Sequence, residues 1–207
     1  QVQGRDVDFN GLYQSFIQPL VAHSAFGQLQ VSGKADWEFS AIGRQPQHFD
    51  LRIHDASVED QQGKFGFAHL NAHLPWDYDQ PQRIQLGYAS GHVLKIPLGE
   101  THWQADVNRY AITTPEMRLP VLDGALVFED LSAAWIQQRM VWHMKMRMQP
   151  ISMTSFSNAL GWPTMRGQLQ GEIPLVTYAN QQLRMAGEMQ FSLFNGKVGM
   201  SELQIDD

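Results

Sequence analysis

From Gly27 to Ala41 apolar and polar side chains alternate. Leu29, Val31, Gly33, Ala35, Trp37, Phe39 and Ala41 fall on one phase, and Gln28, Gln30, Ser32, Lys34, Asp36, Glu38 and Ser40 on the other. A period of two sends the two sets to opposite faces of a strand, one dry and one wet, so an antiparallel sheet solvated on one side is predicted. The pattern resumes with Phe49, Leu51 and Ile53, then slips in register to Ala56 and Val58, as a β-bulge would make it do. A second slip falls between Phe67 and Leu70 in KFGFAHLNAHLPW, after the Gln62-Gly63 turn. Shorter strands are predicted in RIQLGYA, HVLKIPL and THWQADV. In YAITTPEMRLPV, Pro115 and Pro120 favour a sheet edge or a break. GALVFEDLSAAW follows, and then RMVWHMKMRMQ, which places Met140, Trp142, Met144, Met146 and Met148 on one face. The last strands start at Gly167, at Gln182 with Leu183, Met185, Met189, Phe191 and Leu193 on one side, and at Lys197 beyond an Asn195-Gly196 hairpin signal.

Helical spacing occurs twice. Leu12, Phe16, Ile17, Leu20 and Val21, with Asn10 as cap, predict a helix over about 11–25. Pro19 lies inside it and costs about 3 kcal/mol in a helix interior, so that helix is short, kinked or broken. The second spans about 154–160, with Gly161 in the left-handed stop position and Pro163 just past it. The fold class expected is mainly β: an elongated, curled antiparallel sheet with two short helices.

Such a sheet has a covering problem. Every long strand offers several large apolar side chains to one face, each worth roughly 1.5–3 kcal/mol when buried. Two short helices cannot hide them all. Either the sheet folds on itself as a sandwich or barrel, or something other than this chain fills the space. A repeated, curled sheet with a dry inside is a trough, and a trough of this kind suits fatty acyl chains. The dry face is built by Val31, Trp37, Phe39, Leu51, Ile53, Trp142, Met144, Met146, Met185, Met189, Phe191 and Leu193. Nine of the ten methionines lie between Met140 and Met200; their flexible, polarizable side chains fill core gaps or line a surface that accepts varied partners.

Charge narrows the partners. With 43% apolar residues, 17% charged and a formal net charge of −6, the chain is a folded protein with no run of Lys or Arg of the kind that nucleic acid requires. A weakly acidic surface gains nothing from anionic lipid headgroups, so lipid contact is expected through acyl chains. Zero cysteines excludes disulfides and thiolate chemistry. No run of about 18 apolar residues could span a bilayer, so any membrane contact is expected through parts of a parent chain outside this segment.

Catalytic constellations are missing. There is no nucleophile elbow, P-loop, dinucleotide fingerprint, EF-hand loop or HExxH, and neither an enzyme nor a cofactor is expected. His69 and His73 form an HxxxH, which on a strand spans about 13 Å, too far to share a metal. The acidic residues Asp55, Glu59 and Asp60 sit at a turn and are most simply solvated. Trp76, Trp103, Trp135 and Trp162 could rim a sugar site, but nothing pairs them with the polar groups it needs.

The sequence also repeats itself. SFIQPLVAHSAFGQLQ (15–30) and SFSNALGWPTMRGQLQ (155–170) share Ser15/Ser155, Phe16/Phe156, Leu20/Leu160 and the GQLQ tetrad at a shift of 140 residues, from Gly27 to Gly167. Residues 1–150 are therefore expected to form one repeat and 151–207 the start of a second, cut short, in a slice of a longer array. FSNALGWPTMRGQLQGEIPLVTYANQQLRMAGEMQFSLFNGKVGMSELQI resembles the YdbH branch of the AsmA-like proteins, relatives of TamB. The likeness rests on Leu160, Gly161, Pro163, Gly167, Leu169, Gly171, Ile173, Pro174, Gly187, Met189, Phe191, Leu193, Phe194, Asn195, Gly196 and Val198, and more loosely on DLRIHDASVEDQQGKFGFAHLNAHLPW.

The resemblance implies a periplasmic segment of a Gram-negative envelope protein held in the inner membrane by an N-terminal helix. Its β-groove would carry phospholipids toward the outer membrane without catalysis. Edge strands would pair with adjacent repeats or with a partner's strand, such as an outer-membrane lipoprotein's. Two rivals remain: an envelope-assembly scaffold that binds partner strands, and a closed β-sandwich that binds carbohydrate.

Overall fold

Alternation becomes strand almost everywhere in the computed structural model, which describes residues 1–22, 24, 26–137, 139–180, 182–193, 196–201 and 204–206. The chain forms two compact units, Gln1–Gln104 and Ala105–Asp207. This division follows packing and is distinct from the expected repeat boundary after residue 150.

The first unit holds β1 (Val2–Asp8), β2 (Leu29–Ile42), β3 (Gln45–Asp60), β4 (Phe65–Asp77), β5 (Gln82–Tyr88), β6 (Ser90–Val93) and β7 (Ile96–Leu98). They pair antiparallel in the order β1-β2-β3-β4-β5, with β6 on β4 and β7 on β6. The single strand expected in HVLKIPL is thus a hairpin, turning at Leu94 with φ 54°. β8 (Thr101–Asn108) belongs to both units. The second unit continues with β9 (Ala111–Val121), β10 (Gly124–Ile136), β11 (Arg139–Ser152), β12 (Gln168–Ala179), β13 (Gln182–Ala186), β14 (Glu188–Leu193), β15 (Gly196–Ser201) and β16 (Gln204–Asp206). Here β9-β10-β11-β12 are neighbours; β12 pairs both β13 and β14, β15 pairs β14, and β16 pairs β13. Among the described residues, neither unit contains a second sheet, and neither sheet closes into a barrel.

The two register slips read from sequence are bulges. Pairing shifts between Ile53 and Ala56 and again between Ala56 and Val58, and Asp55 (φ 47°) and His69 (φ 54°) adopt the left-handed conformation. A further bulge falls at Asp6 on β1, opposite Asp36, and on β2 Gly33 (φ 119°) faces the Asp55 bulge of β3. Three of these four adjacent strands, β1, β3 and β4, therefore carry a bulge, and bulges bend and twist the strands of this curled sheet. In the second unit Asp130 (φ 52°) is the bulge of β10 against β11, and the β11–β12 pairing shifts at two further places. Pro115 lies opposite it, skipped in a pairing that runs from Thr114 to Glu116. Proline removes a ladder donor, yet the β9–β10 register is the same on either side of Pro115, so β9 continues through it rather than breaking there. The strand expected from Gln182 is divided at Gly187 (φ 111°), opposite the irregularity at Pro174.

The first helical segment runs from Phe9 to Val21 as an α turn (α1, Phe9–Leu12), a π segment (Tyr13–Ile17) and a second α turn (α2, Gln18–Val21). Pro19 sits at the start of α2, where its missing N–H costs little. The cap is Asp8 rather than the expected Asn10; its carboxylate accepts from the Gly11 N–H at 3.1 Å. The second helix, α3 (Met153–Leu160), begins on Ser152, whose hydroxyl accepts from Thr154 and Ser155, and ends on Gly161 at φ 72°. Both helical segments interrupt a pair of neighbouring antiparallel strands: β1 and β2 around the first, β11 and β12 around α3. Asn195 lies outside the described residues; Gly196 opens β15.

Candidate functional site

In the first unit, cross-strand pairing stacks the dry residues into rungs. Val2, Phe39, Phe49 and Trp76 form one rung, Trp37, Leu51 and Leu74 the next, and Val7, Ala35, Ile53, Ala72 and Leu86 a third. Beyond the line of bulges come Ala56 with Leu70, and Val31 with Val58 and Phe67. Val31, Trp37, Phe39, Leu51 and Ile53 thus share one apolar face. Val31, Leu51 and Ile53 are buried, while Trp37 and Phe39 are half-buried. Gly4 stands opposite Trp37 on β1, and a Cβ there would run into the indole nitrogen. The missing side chain lets the ring lie flat across the edge strand.

The helical segment Phe9–Val21 covers part of this face without filling the space beneath it. Leu12, Phe16 and Ile17 lie over Val2, Trp37, Phe39, Phe49 and Leu51, and the gap is a cavity of about 390 Å³ with only apolar side chains in its wall. Pockets for small apolar ligands begin at about this size. Such a wall offers almost no polar group to orient a ligand.

The second unit repeats the arrangement with softer side chains. Met144 pairs across to Val176 and Met185, Met146 lies between Phe128 and Ile173, and Met148 lies between Leu126 and Gly171. Trp142 stacks on Tyr178 with ring centroids 5.8 Å apart. Met185 is buried; Trp142, Met144, Met146 and Met189 are half-buried. Phe191 and Leu193 belong to β14 by backbone pairing with Gly171 and Leu169, and their side chains lie outside the described residues. The predicted dry positions therefore gather into two clusters, one in each unit.

The wet face of the first unit carries a histidine-carboxylate lattice. His54 Nε2 lies 3.0 Å from Asp36, His73 Nε2 2.7 Å from Asp50, His69 Nδ1 2.6 Å from Asp55, His92 Nε2 2.9 Å from Glu59 and His48 Nδ1 3.5 Å from Asp77. His69 and His73 thus each hold their own aspartate, and no group of three His, Asp or Glu side chains among the described residues is placed to hold a metal. The acidic residues of the β3–β4 region are likewise not merely solvated. Asp60 is buried and accepts from the N–H groups of Gln62 and Lys64, both at 3.0 Å, which shapes the turn.

Two of these carboxyls are held below the usual range. For Asp36 the Asp6 backbone N–H is the first cause and His54 the second; for Asp77 it is the N–H groups of Asp79 and Gln80, then His48. A carboxyl depressed in the folded state contributes stability above its unfolded value of about 3.9, and loses it as pH falls through the folded value. Asp36→Asn should therefore flatten the acid limb of a urea-denaturation series below about pH 4, relative to the parent chain; an unchanged limb would show that the Asp6 and His54 contacts do not persist in solution.

The positions that sequence reasoning missed are those lining the cavity from outside the alternating strands: Val2 on β1 and the helix residues above it. Their signal was Gly4, a residue without a side chain that becomes meaningful only when Trp37 is known to face it. No family model, no curated protein and no solved structure matches this chain. The class that fold and site define is an open antiparallel sheet with one apolar face in each unit.

Proposed function

We propose that this chain is a segment of a bridge-like protein that carries phospholipids between inner and outer membranes along a hydrophobic β-groove in the periplasm. Acyl chains lie against the apolar face of each unit, at Trp37, Phe39, Leu51, Trp142, Met144 and Met146 among others, while headgroups stay in water. No bond is made or broken. The observation that carries this reading is the cavity under the helical segment, because its apolar wall lies against the apolar face of the sheet. The resemblance of residues 156–205 to the YdbH branch supports the same reading and adds the compartment.

The test is extraction of the purified chain with organic solvent, followed by mass spectrometry. Phospholipid should accompany the protein through gel filtration, and a spin-labelled fatty acyl probe should bind with a label immobilised on the apolar face. Repeated preparations that contain no lipid and fail to immobilise the probe would overturn the proposal.

A further inference from the structure

The cavity under the helical segment has a definite size and a definite edge. β1, β2 and β3 make its floor, through Val2, Phe39 and Leu51 among others, and Leu12, Phe16 and Ile17 make its roof. Trp76, opposite Phe49, and Leu74, opposite Leu51, carry the same two rungs on to β4, but neither belongs to the cavity wall. Both are half-buried. The apolar face therefore continues one strand past the roof, a distance of about 4.8 Å.

Hydrogen bonds hold the roof off the floor. The Tyr13 hydroxyl, in the π segment, donates to the Phe26 carbonyl at 2.8 Å and accepts from the Leu29 N–H at 3.1 Å. Gln18 Nε2 donates to the Gly27 carbonyl at 3.1 Å. Tyr13 is 2% exposed, so a broken bond there would strand a buried polar group. These bonds tie the helical segment to the start of β2 and oppose the collapse of Leu12, Phe16 and Ile17 onto Phe39 and Leu51.

An engineered apolar cavity of about 150 Å³ takes benzene, with its six carbons. That is about 25 Å³ per carbon, and on the same scale a cavity of about 390 Å³ takes about 15 carbons. One fatty acyl chain fills it; a second needs as much space again. We infer that the roofed cavity takes a single acyl chain of about 15 carbons, so that a two-chain phospholipid enters with one chain and lays the other along Trp76 and Leu74. The inference rests on the lipid reading of the apolar face and adds how many chains the roofed part holds.

The chain has no cysteine, so Ser15→Cys, at an exposed position outside the cavity wall, takes one environment-sensitive dye that reads this cavity apart from the second unit. Saturated fatty acids from about 8 to about 18 carbons, titrated below their micellar concentrations, should bind about fourfold more tightly per added carbon until about 15 carbons, and gain less than about twofold per carbon beyond. Leu12→Trp and Val2→Phe, which fill the cavity, should each move that break to shorter chains with an unchanged circular dichroism spectrum. Leu74→Glu should weaken a two-chain phosphatidylglycerol at least about tenfold and leave the fatty acids unaffected. A gain per carbon that never breaks, a break that neither filling variant moves, or a Leu74→Glu effect equal for one-chain and two-chain lipids would overturn the inference. So would a dye signal that follows protein concentration without lipid, by assigning the cavity to side chains of a second copy. No response to any chain length would overturn it too; only the absence of co-purified phospholipid would remove the lipid reading as well.

Discussion

Met146→Glu should abolish phospholipid photo-cross-linking from a benzophenone side chain placed at Met144, in cells and with purified protein. Met146 lies on the apolar face between Phe128 and Ile173 and is half-buried. A carboxylate there can still reach water when the face is empty, so the sheet tolerates it. Once an acyl chain covers the position, the charge must enter hydrocarbon at a cost of roughly 2.5–3.5 kcal/mol, which corresponds to about a hundredfold loss of occupancy. The circular dichroism spectrum should stay the same and Met146→Leu should cross-link normally. Undiminished cross-linking in the Glu variant would count against this face as the lipid track.

The largest loss of stability is expected from Gly33→Val. Gly33 occupies a backbone conformation at φ 119° that L side chains rarely adopt, and a Cβ there would meet the Ala56 Cα at 2.7 Å. Strain of about 1–3 kcal/mol in the backbone adds to about 1–3 kcal/mol from overpacking, because Ala56 is fully buried and belongs to the facing bulge. Gly43 is the control: it too has a positive φ, 61°, but nothing lies within 4 Å of its missing Cβ. Gly43→Ala should cost about 1 kcal/mol, measured by the same urea titration. Equal effects at the two sites would show that the bulges do not interlock.

Legibility followed the range of the interaction. Alternation along β2, β3 and β11 is local, since each side chain's face follows from its parity, and the slips at Asp55 and His69 were visible because a bulge moves the apolar phase by one residue. Pro115 misled because its consequence depends on the strand opposite: β10 keeps its register with β9 on both sides of the proline, so one lost donor does not end the strand. Asn10 misled for a nearer reason: Asp8, two residues earlier, accepts from the Gly11 N–H and takes the cap. The histidines on the wet phase of β3, β4 and β6 looked like scattered polar residues. Their carboxylate partners sit on neighbouring strands, up to 33 residues away for His92 and Glu59, and a single strand carries no record of them.

By itself, then, the order of residues determined the strands, their two faces and the two helical segments, because all of these depend on periods of two or about four along the chain. Only the tertiary structure decided which rungs meet, that Gly4 makes room for the Trp37 ring, and that the helical segment with its π turns roofs a cavity. Those outcomes depend on register between strands, and register is set by pairing energies summed over the whole sheet rather than by any one segment.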